Sequence, residues 1–222
     1  METTREKSAA EAVYDYVYGE ITHRRLTPGQ NLTENHLCAA LGLGRSPVRL
    51  ALQQLAKDGF IELQPNRGAI VTQFTQKQLR QLYSLREIFL EYALRQAMDL
   101  YEEEDLAVLQ ACLKEMETAF EARAFDDYIQ AVSRFYRAII DKADNPYLTE
   151  SAAVVINRIN VYTCLYDDFY SVKRLKTLAM QNRMVEGIRA GKLSEVLRAH
   201  KKLSTVVVDA YDHVIKRNLQ GK

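Results

Sequence analysis

The chain has 222 residues, 47% of them apolar, and a formal charge of only +1 at pH 7. This length fits one large or two small domains with buried cores, and no apolar run approaches the roughly 20 residues of a membrane-spanning helix. The N-terminus METTREKSAAEA lacks a signal-peptide core, and the three cysteines are widely separated, without metal-ligand spacing. We therefore expect a cytoplasmic protein with reduced thiols and no membrane partner.

The stretch from Leu41 to Phe60 has the pattern of the second half of a helix-turn-helix. Two glycines at its start favour a sharp turn, while Ser46 as N-cap and Pro47 at the first helical position predict where the new helix begins. Its apolar residues recur at the i, i+3, i+4, i+7 spacing of one buried face: Val48, Ala51, Leu52 and Leu55.

The opposite face of this helix is basic at its N-terminal end. Arg45 and Arg49 lie outside the apolar stripe, and Gln53 continues their row one turn later. The N-terminal end of such a helix enters the major groove in helix-turn-helix proteins. Because the residues through Thr75 carry eight basic and eight acidic side chains, a DNA-binding surface here requires local concentration of the positive charge.

Two short β-type runs follow, joined by the turn Pro65-Asn66-Arg67-Gly68 with an arginine at its tip. Upstream, Lys7 to Arg25 has helical periodicity, and Thr33 is a suitable N-cap for a second helix whose first turn contains Glu34. Three helices and a β-hairpin with a basic tip predict a winged helix-turn-helix. The alternative interpretation is that the helix with Arg45 and Arg49 is an ordinary surface helix whose arginines are solvated.

The segment PGQNLTENHLCAALGLGRSPVRLALQQLAKDGFIELQPNRGAIV resembles the N-terminal domain of the GntR transcriptional regulators. The Pro-Gly turn, the acidic residue opening the second helix, the R-[ST]-P-V-R block and the Pro-x-x-Gly wing carry the resemblance. Gly44 and Leu50 stand where the family commonly has Ser and Glu. The resemblance and the pattern together imply these DNA-contacting residues: Arg45, Ser46, Arg49, Gln53, Asn66, Arg67 and Gly68.

Beyond a polar connector at residues 72–75, every long segment has helical periodicity, with breaks at Asp144-Asn145-Pro146 and at Gly191. We predict a mainly α protein: a winged helix-turn-helix over residues 1–74 and an all-α antiparallel bundle over residues 75–222. The predicted bundle helices are Gln76–Tyr101, Glu103–Arg123, Phe125–Ala143, Pro146–Tyr170, Val172–Ala190 and Lys192–Leu219.

This order of domains resembles the FadR branch of the GntR family, whose helical FCD-type domain binds an effector and dimerises. YSLREIFLEYALRQA is similar to that domain's opening helix, and Asp144-Asn145-Pro146-Tyr147-Leu148 to its Asn-Pro helix start. The resemblance implies a homodimeric regulator whose winged helices bind a palindromic double-stranded DNA operator under the control of a small-molecule effector.

Many members of this branch hold a metal with an Asp and three His, and these ligands are replaced here. The family's positions fall on Val132, Tyr136, Gln181 and Leu203, with His200 about one turn early. One histidine is not a metal site, and His200 would serve only if its helix were shifted in register. We therefore predict no metal and no cofactor.

A metal-free bundle can still enclose a polar pocket. Its candidate effector-binding residues are Arg86, Tyr136, Arg158, Tyr162 and Gln181. A guanidinium pairs with a carboxylate or phosphate through bidentate hydrogen bonds, so the resemblance and Arg86 point to a small organic acid as effector, a small carboxylate above all. In the alternative interpretation both tyrosines are core residues, and Arg86 pairs with Glu87 or Glu91.

The chain contains no recognisable nucleophile motif, Gly-rich phosphate loop or cofactor fingerprint, so we do not expect an enzyme. The acidic run Glu102–Asp105 is typical of a helix N-terminus rather than of a catalytic carboxylate pair. A second class remains open: a helical interaction protein without a small-molecule effector, whose winged helix contacts another protein.

Overall fold

The computed structural model describes residues 8–64, 68–166 and 173–220, and the side chains of these residues except 173–175 and 211–220. The chain forms two compact units. The first comprises residues up to Phe74 together with Val161–Leu165, and the second comprises Thr75–Asn160 and the residues from Tyr166 onward. The predicted mainly α architecture, with its winged helix-turn-helix and helical bundle, is confirmed.

The part of the first unit up to Phe74 forms three helices and a small sheet. In chain order its elements are α1 (Ala9–Thr22), β1 (Asn31–Leu32), α2 (Glu34–Leu41), α3 (Arg45–Asp58), β2 (Ile61–Gln64) and β3 (Gly68–Val71). Ser8 and Thr33 accept hydrogen bonds from the first turns of α1 and α2, as expected of N-caps. The apolar stripes of the helices meet in a fully buried core that includes Val13, Val17, Leu37, Val48 and Leu55.

The sheet has three strands in the order β1-β3-β2, where the sequence predicted only a hairpin. In the antiparallel pair of β2 and β3, Ile61 lies opposite Val71, and β1 adds Leu32 opposite Ala69. The first residue of β3, Gly68, has φ of +80°, and a Cβ there would lie 3.1 Å from the backbone oxygen of Leu32. This position therefore favours glycine on both conformational and steric grounds.

Helix α3 begins earlier than predicted. Gly44, not Ser46, is its N-cap, and no side chain caps the helix. Pro47 consequently occupies the third helical position, which it tolerates because backbone N–H groups of the first turn have no intrahelical acceptor. The left-handed Gly42 ends α2 and the left-handed Gly59 ends α3, so both glycines occupy conformations that disfavour other residues.

In the part of the chain that the structure describes, the second unit consists of helices. The elements that follow the connector are α4 (Gln76–Ala97), α5 (Glu103–Glu121), α6 (Phe125–Asp141), α7 (Pro146–Tyr166), α8 (Lys173–Arg189) and α9 (Leu193–Gln220). The helix predicted over Gln76–Tyr101 is shorter, because a 3-10 turn over Met98–Leu100 follows α4. The predicted helix ends at Tyr170 and Val172 lie outside the described residues.

Capping boxes fix the starts of two bundle helices: Thr75 with Gln78 for α4, and Glu102 with Asp105 for α5. The buried core of this unit draws residues from all six helices, among them Leu90, Leu109, Phe135, Ile156, Met184 and Val196. Within the described part of the chain, no helix combines the length and the apolar character needed to cross a membrane.

Candidate functional site

Helix α3 separates a dry face from an exposed polar row. Val48, Ala51, Leu52 and Leu55 are buried, as predicted. Arg45, Ser46, Arg49 and Gln53 are all exposed. The N-terminal part of α3 therefore presents two cations and two neutral hydrogen-bonding groups to solvent, beside an exposed Leu50. Such a surface can donate to phosphates and to base edges.

Both arginines of this row are held by the first turn of α2. Arg49 Nε donates to both carboxylate oxygens of Glu34, at 2.9 and 3.0 Å, and Arg45 Nη2 donates to Asn35 Oδ1 at 3.3 Å. The hydrogen bond with Glu34 raises the pKa of the Arg49 guanidinium. The sequence pattern connected Glu34 only with the helix dipole and gave no sign of this contact, because it joins residues fifteen apart in the chain.

The wing is only partly described. Asn66 and Arg67, predicted to contact DNA, lie outside the described residues, as does Pro65. Gly68, the last residue of the predicted turn, is exposed at the start of β3 and pairs with Gln64 on β2. The two strands that flank the turn are therefore antiparallel neighbours, as a wing requires.

In the second unit, the Arg86 side chain is buried between two aromatic rings. Its Cζ lies 4.4 Å from the ring centre of Tyr83 and 4.0 Å from that of Tyr136. Only 3% of Arg86 is exposed, and its Nε and Nη2 atoms have no hydrogen-bond partner within the described residues. Stacking on two rings stabilises the cation, but it offers no hydrogen-bond acceptor to Nε and Nη2 in the guanidinium plane.

Further buried polar atoms come from α6, α8 and α9. The ring of His200 lies edge-on to Tyr136, with 5.9 Å between centroids. In the described part of the chain, these atoms lack hydrogen-bond partners: Tyr136 OH, Gln181 Oε1, both ring nitrogens of His200, and Ser204 Oγ. We call Arg86, Tyr136, Gln181, His200 and Ser204 the buried polar cluster. Native proteins rarely leave so many buried polar atoms unpaired, which indicates a site for a ligand or water.

Burial and the guanidinium set the ionisation of the cluster. Burial, followed by the charge of Arg86, lowers the pKa of His200 well below its usual value of 6.5. Burial also raises the pKa of Tyr136, although Arg86 and the Gln181 amide oppose that shift. The Gln181 amide is therefore close enough to the Tyr136 hydroxyl to affect its pKa, although the two groups do not form a hydrogen bond of good geometry. The cluster carries one positive charge and otherwise neutral groups at pH 7.

The structure brings together three of the five predicted effector residues: Arg86, Tyr136 and Gln181. Arg158 is half-buried on α7, and Tyr162 belongs to the first unit, where its ring packs against Phe74 at 5.4 Å between centroids. The predictions for these two residues remain predictions.

The alternative in which Arg86 pairs with Glu91 is wrong, because Arg86 Nε and Nη2 have no partner within the described residues and Glu91 accepts hydrogen bonds from Arg95 on the surface of α4. Glu87, the other acid considered for Arg86, lines a groove between α4 and α9. His200 was not among the predicted effector residues, and Ser204 was not predicted at all. A signal existed, because these residues lie four apart on one face of α9.

The groove between α4 and α9 has a volume of about 260 Å³ and includes Tyr83 and Ser204 in its walls. A larger groove, of about 510 Å³, lies between α5 and α6. In the larger groove Glu115 and Arg134 bind each other, whereas the smaller groove is lined by Ser204 of the buried polar cluster and by Tyr83, whose ring lies against Arg86. We therefore place the candidate ligand site at the smaller groove. The described residues contain no group of three or more His, Cys, Asp or Glu side chains suited to a metal ion.

Comparison with known families decides the identity of both units. The model of the bacterial regulatory proteins of the gntR family matches residues 9–71, and the FCD domain model matches residues 81–204. The chain belongs to the GntR family. Its FCD domain is consistent with the FadR branch, and GntR proteins of this architecture are DNA-binding transcriptional regulators rather than enzymes. Members bind DNA operators, and FCD domains bind small-molecule effectors.

Individual relatives are distant but agree with this assignment. This GntR protein is 25% identical over 175 residues to the HTH-type transcriptional regulator YdhC of Bacillus subtilis, covering 78% of this chain and 76% of YdhC. It is 26% identical over 132 residues to the transcriptional repressor RspR of Escherichia coli K12, covering 60% of this chain and 58% of RspR. A solved GntR structure from Rhodococcus sp. RHA1 shares the fold, with a TM-score of 0.70 and 20% identity over 95% of this chain and 99% of that one.

Proposed function

We propose that this GntR protein is a cytoplasmic homodimer that reads a palindromic operator and responds to a small organic acid. Residues 1–74 form the DNA-binding domain, and residues 75–222 bind the effector and dimerise. A two-fold dimer presents each DNA-contacting surface twice, so its operator has two related half-sites. The DNA-binding family and the exposed basic row on α3 support the first part, and the buried polar cluster supports the second.

On the DNA side, Arg45, Arg49 and the neighbouring Ser46 and Gln53 face the major groove. Glu34 engages Arg49 through Nε. The terminal nitrogens of this guanidinium can therefore donate in parallel to O6 and N7 of a guanine. Residues of the wing, Asn66, Arg67 and Gly68, contact phosphate or the minor groove and contribute affinity more than sequence preference.

On the effector side, the observation that carries the proposal is the Arg86 guanidinium, 3% exposed and unpartnered at Nε and Nη2 within the described residues. Those two nitrogens can donate together to the two oxygens of a carboxylate. An unpaired buried charge is costly, so a carboxylate that enters the cluster gains a desolvated, bidentate partner. Tyr136 and Gln181 contact the remainder of the ligand, and Arg158 and Tyr162 are further candidates.

Control of DNA binding follows from linkage. An effector changes operator affinity only if it binds one arrangement of the dimer better than the other. A coupling of tenfold in affinity corresponds to about 1.4 kcal/mol of differential binding. Several hydrogen bonds to the buried polar cluster supply enough energy for such a difference.

The DNA half is tested by selecting bound duplexes from a random library and measuring the stoichiometry of the complex. We expect a palindromic consensus bound by two chains, with retention of the complex in excess nonspecific competitor. Binding without any sequence preference would favour the alternative in which the winged helix contacts another protein.

The effector half is tested by a thermal-shift screen of small acids with the full chain. A ligand that raises the Tm of the parent should lose its effect in Arg86→Met. Arg95→Met is the matched control, because Arg95 lies on the same helix but on its exposed face, bound to Glu91. A shift that survives in Arg86→Met would place the effector elsewhere.

A further inference from the structure

The chemistry of the buried polar cluster restricts which acid it accepts. We propose that it binds a compact monoanion with one carboxylate and at least one hydroxyl group, and that it discriminates against dicarboxylates and against acids without a hydroxyl. This inference rests on the proposed function and goes further, because it derives the ligand's charge and its hydrogen-bonding groups from the unpaired atoms of the cluster.

The charge follows from the count of buried cations. Among the lysine and arginine side chains that the structure describes, Arg86 alone is buried. His200 does not add a second charge, because burial and Arg86 together lower its pKa. One guanidinium compensates one carboxylate. A second carboxylate would enter a water-poor site without a partner, at a penalty that favours its exclusion.

The hydroxyl follows from the unpaired acceptors. Gln181 Oε1 has no donor, and Ser204 Oγ and the His200 nitrogens are also without partners within the described residues. A carboxylate only accepts hydrogen bonds, so a simple fatty acid supplies no donor to Gln181 Oε1. A hydroxyl both donates and accepts, so it pairs with the Gln181 amide in either orientation. An ammonium group could donate too, but its charge would repel the nearby guanidinium of Arg86.

Access and size follow from the groove between α4 and α9. Tyr83, whose ring lies against the Arg86 guanidinium, and Ser204, a member of the cluster, both line this groove, so the groove reaches the edge of the cluster. Its volume of about 260 Å³ is below the usual range for drug-sized ligands and suits a small metabolite. The charges in its walls balance, because Arg80 and Lys201 are matched by Glu87 and Asp209. Selection by charge must therefore occur at Arg86 rather than at the entrance.

The experiment uses two matched sets of probes with the full chain: glycerate, propionate and malonate, and gluconate, hexanoate and glucarate. Each set contains a hydroxylated monoacid, a plain monoacid and a dicarboxylate. Calorimetric titration gives the Kd of each probe at pH 7.5. We expect the hydroxylated monoacid of at least one set to bind about tenfold or more tightly than both partners of its set.

Two variants test the assigned atoms. Gln181→Leu should weaken binding of the hydroxylated acid by about tenfold and leave binding of the plain acid nearly unchanged, so that the preference is lost. Ser204→Ala, a smaller change at a second site, should reduce the same preference without endangering the fold. Asn182→Leu is the matched control, because the amide of this exposed neighbour donates to the Leu178 carbonyl of its own helix.

The outcomes separate the two proposals. If malonate or glucarate binds as tightly as its hydroxylated monoacid and needs Arg86, the effector site stands and the monoanion inference is wrong. Equal affinity for the plain and hydroxylated acids, or a preference that persists in both Gln181→Leu and Ser204→Ala, also overturns the inference. If no probe binds, and no acid in the wider screen does, the proposed effector function itself fails.

Discussion

His200 offers a sensitive test of the environment assigned to the buried polar cluster. It is 1% exposed, and the cluster groups from the helices around it are neutral or positive: Arg86 on α4, Tyr136 on α6, Gln181 on α8 and Ser204 on α9. Burial first, and Arg86 second, lower the pKa of His200 in the folded protein. Protonation of this imidazole therefore favours the unfolded chain, in which the side chain is solvated.

The sign and magnitude of this pH effect on stability follow from the linkage between proton binding and folding. Below the unfolded pKa of about 6.5, the unfolded state binds a proton that the folded state does not, so stability falls as pH falls. The loss continues until the pH reaches the lowered folded pKa. Between pH 7.5 and pH 5.5 the loss of unfolding free energy approaches about 1.4 kcal/mol, because pH 5.5 lies about one unit below the unfolded pKa. His200→Gln removes the titrating group and should remove this component.

The assay is urea unfolding followed by far-UV circular dichroism at pH 7.5, 6.5 and 5.5. Between pH 7.5 and pH 5.5, we expect the unfolding free energy of the parent to fall by about 1.4 kcal/mol more than that of His200→Gln. His36→Gln, at an exposed position of α2, is the control for a general effect of removing a histidine. Parallel pH profiles for the parent and His200→Gln would refute the assignment of a buried, neutral imidazole.

Three further predictions concern other parts of the chain. Elemental analysis of protein purified without chelator or affinity metal should find far less than one transition metal per chain, and stoichiometric metal that disappears in His200→Ala would contradict this. Glu34→Gln should leave the fold intact but reduce operator discrimination, since Arg49 Nε loses its carboxylate partner; unchanged discrimination by fluorescence anisotropy would contradict a positioning role. Gly68→Ala should destabilise the winged domain by about 1–2 kcal/mol, the usual cost of a left-handed alanine. This loss of stability has two causes: the φ of +80° at Gly68 and the close approach of the new Cβ to the backbone oxygen of Leu32. Chemical unfolding measures this loss, and an unchanged midpoint would show that β1 and β3 can separate there.

Periodicity was sufficient to predict the helices because their apolar stripes are long and regular. The face of α3 formed by Val48, Ala51, Leu52 and Leu55 is buried as its spacing indicates. Strand β1 was not predicted, because a strand of two residues has no alternation to detect. The predicted start of α3 was too late, because Gly44 and Ser46 both suit an N-cap and only the backbone distinguishes them.

The sites depend on contacts that sequence spacing does not determine. Family resemblance identified Arg86, but the buried polar cluster is assembled from four helices, and their relative rotation decides which residues face inward. His200 and Ser204 were therefore missed although they lie one turn apart. Likewise, the contact of Glu34 with Arg49 depends on how α2 packs against α3. The predicted contacts of Asn66 and Arg67 with DNA still rest on the sequence alone.

The central claim, that α3 reads operator sequence, is tested most directly by the ratio of affinities for the selected operator and a scrambled duplex at several salt concentrations. Arg49→Ala or Arg45→Ala should lower this ratio by roughly tenfold or more. Lys57→Ala, at the exposed far end of α3, should leave it unchanged.

Arg67→Ala should weaken both duplexes alike and flatten the salt dependence, as expected for a phosphate contact. If Arg45→Ala and Arg49→Ala both retain the parent's preference for the operator, α3 is not the recognition helix.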